Sequence, residues 1–121
     1  MALTVATIDD SRTIREMMKF ILKGAGYDVI EATDGKEALE VLETKKADII
    51  MTDLNMPHMN GLDLIKELRK NPTYAKTPIL VMTTESDQQK KSLGKDVGAS
   101  GWIVKPFTPE KLLVVLQKLN A

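Results

Sequence analysis

Four apolar runs of this chain end in residues that can hold a cation or take part in group transfer. Leu3-Thr4-Val5-Ala6-Thr7-Ile8 leads into Asp9-Asp10, Asp48-Ile49-Ile50-Met51 leads through Thr52 into Asp53, Pro78-Ile79-Leu80-Val81-Met82 leads into Thr83-Thr84, and Gly101-Trp102-Ile103-Val104 leads into Lys105-Pro106. If these runs are parallel strands of one sheet, the residues converge beyond the carboxyl ends of the strands, where open α/β sheets bind their ligands. Three carboxylates in one crevice repel one another: at about 5 Å and an effective dielectric near 20, each pair costs roughly 3 kcal/mol. Positive charge must therefore be present. Lys105 supplies one charge, and a hard divalent cation with carboxylate and water ligands, a description that fits Mg²⁺, supplies two more. Many α/β proteins hold a phosphate at the first strand-to-helix turn through glycines and bare N–H groups. This turn is built to hold a cation, and a phosphate would be held through it. Taken singly, each of these residues is a solvated loop charge or, for Asp9 and Asp10, a helix N-cap; four strand ends together are poorly explained that way.

A carboxylate beside Mg²⁺ and a lysine can act as a nucleophile toward a phosphoryl group, because both cations neutralise the charge that otherwise repels attack. A threonine hydroxyl at the next strand end can then bond a phosphoryl oxygen. No histidine lies at a strand end to activate water. The expected product is a phosphorylated protein, not a released one.

The elements that must position these groups are legible as an alternation of short apolar runs with amphipathic segments, the βαβ pattern of a parallel sheet. Strands are expected near 3–8, 27–31, 48–52, 78–83 and 101–104. The first helix carries Ile14, Met17, Met18, Ile21, Leu22 and Ala25 at the spacing of one buried face and is ended by Gly24 and Gly26. The second, about 35–45, is expected to bury Ala38, Leu39 and Leu42, and the third, about 62–70, to bury Leu62, Ile65 and Leu68 before Asn71-Pro72. The last, about 109–119, opens on Thr108-Pro109-Glu110 and is expected to bury Leu112, Val115, Leu116 and Leu119. A helix over about 86–97 has mainly Leu93 and Val97 as anchors and is expected to be the loosest. The fold class that follows is α/β: a doubly wound, five-stranded parallel sheet with helices on both faces, flavodoxin-like, for which right-handed crossovers leave few orders, 2-1-3-4-5 being the common one.

Composition narrows the function classes. A chain of 121 residues suits one domain spanning 1–121. Its 17 basic and 17 acidic residues cancel, so no overall field draws it to nucleic acid or an anionic membrane. The absence of cysteine excludes disulfides and thiolate chemistry, and with no signal peptide or membrane-spanning run in sight a soluble, cytoplasmic protein is expected. His58, the sole histidine, reads as a solvated loop residue; Met56-Pro57 and Asn60-Gly61 read as turn chemistry, and Met17, Met18, Met51 and Met82 as core.

The stretches IDDSRTIRE, MTDLNMPHMNGLDL, ILVMTTE and GASGWIVKPFTPEKL together resemble the receiver domain of two-component response regulators along the whole chain, and GASGWIVKPFT is especially similar to single-domain chemotaxis regulators of the CheY type. The order 2-1-3-4-5 is already the order by which such regulators are described, so it is not an independent derivation. The resemblance implies that Asp53 is the phosphoacceptor, that Asp10 is a direct Mg²⁺ ligand with Asp9 a ligand through water or an orienter, and that the Asn55 carbonyl completes the metal shell. It implies that Lys105 pairs with phosphoryl oxygens, that Thr83 moves to meet them, and that Trp102, where relatives carry tyrosine or phenylalanine, is the aromatic that changes rotamer; a core filler is the competing role. Asn55 and Glu85 would tune the lifetime of the phosphoaspartate, as in fast-resetting chemotaxis regulators, and a lifetime of seconds to minutes, not hours, is expected here. Lys90, Lys91 and Lys95 are either a solvated face or, with Trp102, part of an output face.

The partners implied are a sensor histidine kinase or phosphotransfer domain, a downstream target such as the flagellar motor switch, and a phosphatase, with no nucleic acid or membrane and the chain a monomer. A phosphate sink or relay without a motor target is the alternative within this class. An aspartate-nucleophile phosphohydrolase would need a second acid two residues after its nucleophile, where this chain has Asn55 or Ser11. A flavodoxin-like flavin carrier would need a Ser/Thr/Gly-rich loop in place of Asp9-Asp10.

Overall fold

The structure, a computed structural model, describes residues 3–54, 56–83, 96, 98–105 and 107–119, with Thr83 described by its backbone alone. Apart from residue 96, the helix expected over 86–97, with Lys90, Lys91 and Lys95, lies outside the described residues, as do Asn55, Glu85 and Pro106. The elements are β1 (Thr4–Ile8), α1 (Arg12–Gly24), β2 (Asp28–Ala32), α2 (Gly35–Thr44), β3 (Ile49–Asp53), α3 (Gly61–Lys70), β4 (Ile79–Thr83), β5 (Gly101–Val104) and α4 (Pro109–Leu119). All five strands pair in parallel in the order β2-β1-β3-β4-β5, the doubly wound sheet the sequence predicts. No helix among the described residues is long and apolar enough to cross a membrane.

Because side chains alternate along a strand, each strand feeds two cores. Ala6, Ile8, Ile50, Ile79 and Val81 pack with Ala38 and Leu42 of α2 and with Leu64, Ile65 and Leu68 of α3. Val5, Ile49, Met51, Leu80, Met82 and Ile103 pack with Met18 and Leu22 of α1 and with Leu112 and Leu116 of α4. Covering both faces is why β3 and β4 read as continuously apolar runs. Trp102 is half-buried on the α2–α3 side.

Two expectations for α1 fail. Met17 is 40 % exposed and Ala25 is exposed, so neither belongs to the core. At 100° per residue, Met17 lies about 120° round the helix from the centre of the Met18–Leu22 stripe, and Ala25 is the residue just past the helix end. Phe20, on the opposite side of that stripe, is 83 % exposed.

Each helix start has its own cap. Ser11, not Asp9 or Asp10, accepts the Ile14 N–H at 3.3 Å; Asp34 accepts the Glu37 N–H at 2.8 Å, Asn60 the Asp63 N–H at 2.9 Å and Thr108 the Lys111 N–H at 3.1 Å. Asn60-Gly61 is therefore not a free turn: Asn60 caps α3 and Gly61 is its first residue. A β-carbon on Gly61 would stand 2.3 Å from the Asp53 carbonyl oxygen, and the Gly61 N–H donates to Leu54 O at 2.9 Å, so only glycine lets α3 start this close to the end of β3. His58 is exposed as expected, but it occupies the left-handed region (φ 68°) and its Nδ1 lies 2.8 Å from Asp34 Oδ2. With a carboxylate as acceptor, that ring nitrogen is the donor.

Half-buried Arg69 and buried Tyr74 join the remaining loops. Arg69 donates to Gly98 O, Tyr74 O and Thr77 O at 2.7 to 3.0 Å, binding the approaches to β4 and β5 to α3. The Tyr74 hydroxyl donates to Leu42 O at 2.9 Å and Lys45 O at 3.1 Å, closing the end of α2.

Gly61→Ala is expected to destabilise the fold by about 1–3 kcal/mol, the usual cost of overpacking. A urea unfolding midpoint equal to that of the native chain would contradict this. The Glu37 N–H first, and the His58 ring next, hold the Asp34 carboxyl below its ordinary value of 3.8. Its contribution is thus fully present above pH 3.8 and is lost as the pH falls through the folded value. Asp34→Ala should cost about 1 kcal/mol at neutral pH, and the unfolding curves of the two proteins should converge in acid; a gap unchanged by acid would rule out the carboxylate as its source.

Candidate phosphoacceptor and cation site

Sheet register aligns the strand ends. Ile8 pairs with Ala32 and Thr52, Asp53 with Met82, and Thr83 with Val104, so the residues just past β1 and β5 and the last residue of β3 meet in one place. Ligand atoms of Asp9, Asp10 and Asp53 lie within 4.8 Å of one another. Lys105 reaches between them from the end of β5, with Nζ at 2.7 Å from Asp9 Oδ2 and 3.3 Å from Asp53 Oδ2. The structure therefore brings together Asp9, Asp10, Asp53 and Lys105; it places the backbone of Thr83 at the neighbouring strand end and Trp102 three residues before Lys105.

The three carboxylates differ in surroundings. Asp9 is 1 % exposed and fully engaged: its Oδ1 accepts the Ser11 N–H at 2.9 Å, and its Oδ2 accepts from Lys105. Asp53 is half-buried; its Oδ1 accepts the Leu54 N–H at 2.7 Å while Thr52 Oγ1 donates to its carbonyl at 2.9 Å. Asp10 is exposed, and no hydrogen bond holds its carboxylate among the described residues.

Burial, and then the charge of Asp9, push the Asp53 carboxyl above its ordinary value, although Lys105 and the Leu54 N–H act the other way. For Lys105, burial is the largest single influence and acts downward; the hydrogen bond and charge of Asp9, with those of Asp53, outweigh it and leave the ammonium raised and charged. One ammonium against three carboxylates leaves two negative charges uncompensated. An all-oxygen donor set with that residual charge fits a hard divalent cation.

Sequence reasoning did not single out Arg15, Ser11 or Leu54 as parts of the site. Arg15, a polar residue between the apolar positions of α1, donates from Nη1 to the Asp9 carbonyl at 2.8 Å, and its Nε lies 3.7 Å from Glu31 Oε1 on β2. Its place six residues after Asp9, about one turn into α1, was the available signal.

Comparison with known proteins agrees with this geometry. The chain is 44% identical over 115 residues to chemotaxis protein CheY1 of Helicobacter pylori, covering 90% of this chain and 93% of that protein. A CheY homolog of Campylobacter jejuni is 43% identical over 108 residues, covering 87% of this chain and 82% of its own. Among solved structures, chemotaxis protein CheY4 of Vibrio cholerae superposes with a TM-score of 0.95 at 46% identity, over 98% of this chain and 99% of that one. The profile of the response regulator receiver domain matches residues 5–117. A sheet read from apolar runs and a charge cluster read from strand ends thus meet the same answer from an independent side: the chain belongs to the response regulator receiver domain family.

Proposed function

We propose that this chain acts as a single receiver unit that accepts a phosphoryl group on Asp53 from a phosphohistidine of a sensor kinase or phosphotransfer domain. The observation that carries the reading is the half-buried Asp53 carboxylate, 3.3 Å from Lys105 and set among uncompensated negative charge. An Asp53 carboxylate oxygen attacks phosphorus, the phosphorus–nitrogen bond to the donor histidine breaks, and the electron pair leaves with the imidazole. Lys105 faces the phosphoryl oxygens and neutralises their charge. Leu54 N–H holds one acceptor oxygen and orients the carboxyl plane. Thr83 and Trp102 carry the change outward, and Asn55 with Glu85 sets the lifetime of the acyl phosphate.

Mg²⁺ is the cation proposed, held by the carboxylates of Asp10 and Asp53 and the Asn55 carbonyl, with Asp9 as orienter; when bound, it stabilises charge on the transferring phosphoryl group. That Asp9 is fully engaged while Asp10 is exposed and free of described bonds supports this division of roles. The likeness to chemotaxis proteins supports a role in chemotaxis, in the cytoplasm, with output through contact with a downstream protein such as the motor switch and with reset assisted by a phosphatase.

The test is intact mass after incubation with acetyl phosphate, with and without Mg²⁺. A Mg²⁺-dependent gain of one phosphoryl group, lost in Asp53→Asn and slowed by about 10²-fold in Lys105→Met, is expected. No gain from acetyl phosphate or a phosphohistidine donor would overturn the proposal.

The raised Asp53 carboxyl carries a stability consequence of opposite sign to that of Asp34. The folded state binds this proton more readily than the unfolded chain, so stability falls as pH rises from 3.8 through the folded value. Without Mg²⁺ at neutral pH, Asp53→Asn should therefore be more stable than the native chain, with a higher Tm. A lower Tm for the variant would show that Asp53 is held favourably as an anion.

A further inference from the structure

We infer that Arg15 is a positioning residue for the cation-binding carboxylates, acting through the peptide that joins Asp9 to Asp10; this rests on the reading of the site proposed above. Every polar atom of Asp9 is engaged. Its N–H donates to Ala32 O at 3.1 Å, its Oδ1 accepts from Ser11 N at 2.9 Å, its Oδ2 accepts from Lys105 at 2.7 Å, and its carbonyl oxygen accepts from Arg15 Nη1 at 2.8 Å. Asp10 is exposed and has no hydrogen bond to its carboxylate among the described residues, so the backbone alone sets where that carboxylate starts. The Asp9 carbonyl and the Asp10 N–H belong to one planar peptide unit that turns as a body. A donor fixed on the oxygen therefore fixes the plane from which the Asp10 side chain leaves.

Arg15 is placed to do this firmly. Its side chain is 15 % exposed, and its Nε lies 3.7 Å from Glu31, which also meets Lys19 at 3.7 Å. Glu31 anchors the guanidinium from β2 and offsets its charge, so the arginine orients the Asp9–Asp10 peptide without setting an unbalanced positive charge beside a cation site. A solvated arginine would show neither the low exposure nor the 2.8 Å bond to a main-chain oxygen.

The experiment is calorimetric titration of Mg²⁺ into the native chain, Arg15→Met, Arg15→Lys and Lys19→Met, with circular dichroism confirming the fold of each. Residues that orient metal ligands typically change affinity 10–100-fold when removed, so Arg15→Met is expected to raise the Kd for Mg²⁺ about ten-fold. Arg15→Lys, which retains one donor, should recover part of the loss, and Lys19→Met should match the native chain. At saturating Mg²⁺, phosphorylation of Arg15→Met by acetyl phosphate should return to the native rate. A native chain that binds Mg²⁺ while Arg15→Met binds it equally well would overturn the inference alone, and equal weakening by Arg15→Met and Lys19→Met would overturn it in favour of a general charge effect. A native chain that binds no Mg²⁺ would overturn the site reading as well. If Arg15→Met does not fold, Arg15→Gln takes its place under the same criteria.

Discussion

The ion pair between Lys105 and Asp9 is the interaction on which the rest of the site depends. Its partners come from opposite ends of the chain, 96 residues apart, and meet at 2.7 Å with Asp9 1 % exposed. A buried pair is worth keeping only when its remaining hydrogen-bonding capacity is satisfied, and here the Ser11 N–H takes the other carboxylate oxygen. The pair neutralises one of three acids and leaves Asp10 and Asp53 without a full counter-charge. The sheet cannot relieve this, because Asp9 and Asp53 each follow directly on the last registered pair of β1 and β3, Ile8 with Thr52. What the fold holds is an acid cluster with more negative than positive charge, a donor set that fits a divalent cation.

The scaffold makes that tension tolerable by rigidity. Both faces of the sheet are covered, so the strand ends are fixed by packing as well as by ladder hydrogen bonds. Gly61 brings α3 against the Asp53 carbonyl, and Arg69 ties the approaches to β4 and β5 to the end of that helix. The segments that reach the site on its two sides are thus both anchored to α3. Asp34 and His58 add a third tie, from the start of α2 to the loop that follows Asp53.

Much of this was legible from sequence because the fold relies on local rules. Short apolar runs and 3.6-residue spacing placed each described strand, and each described helix after the first, within a residue of its observed ends, and acids at strand ends betray themselves by interrupting apolar runs. The failures have physical reasons. Met17 is apolar but lies beyond the buried arc of α1, and spacing alone does not say how wide that arc is. Arg15 and Arg69 look like surface charges in a string of letters; that their guanidinium groups cap main-chain oxygens depends on tertiary approach, which no local pattern encodes. The same holds for His58, whose partner lies 24 residues away. Gly61 was visible as turn chemistry, but its closeness to Asp53 emerges only when α3 docks.

On the proposed reading, the cluster of Asp9, Asp10 and Asp53 keeps uncompensated negative charge until a divalent cation enters it. The most direct test follows the thermal midpoint of the native chain and of Asp10→Asn as Mg²⁺ is raised. Selective binding to the folded state stabilises by RT ln(1 + [L]/Kd), so the native midpoint should rise steadily with Mg²⁺ and that of the variant, which starts from a higher value, should rise little. A native midpoint indifferent to Mg²⁺, or one that rises equally in Asp10→Asn, would contradict it.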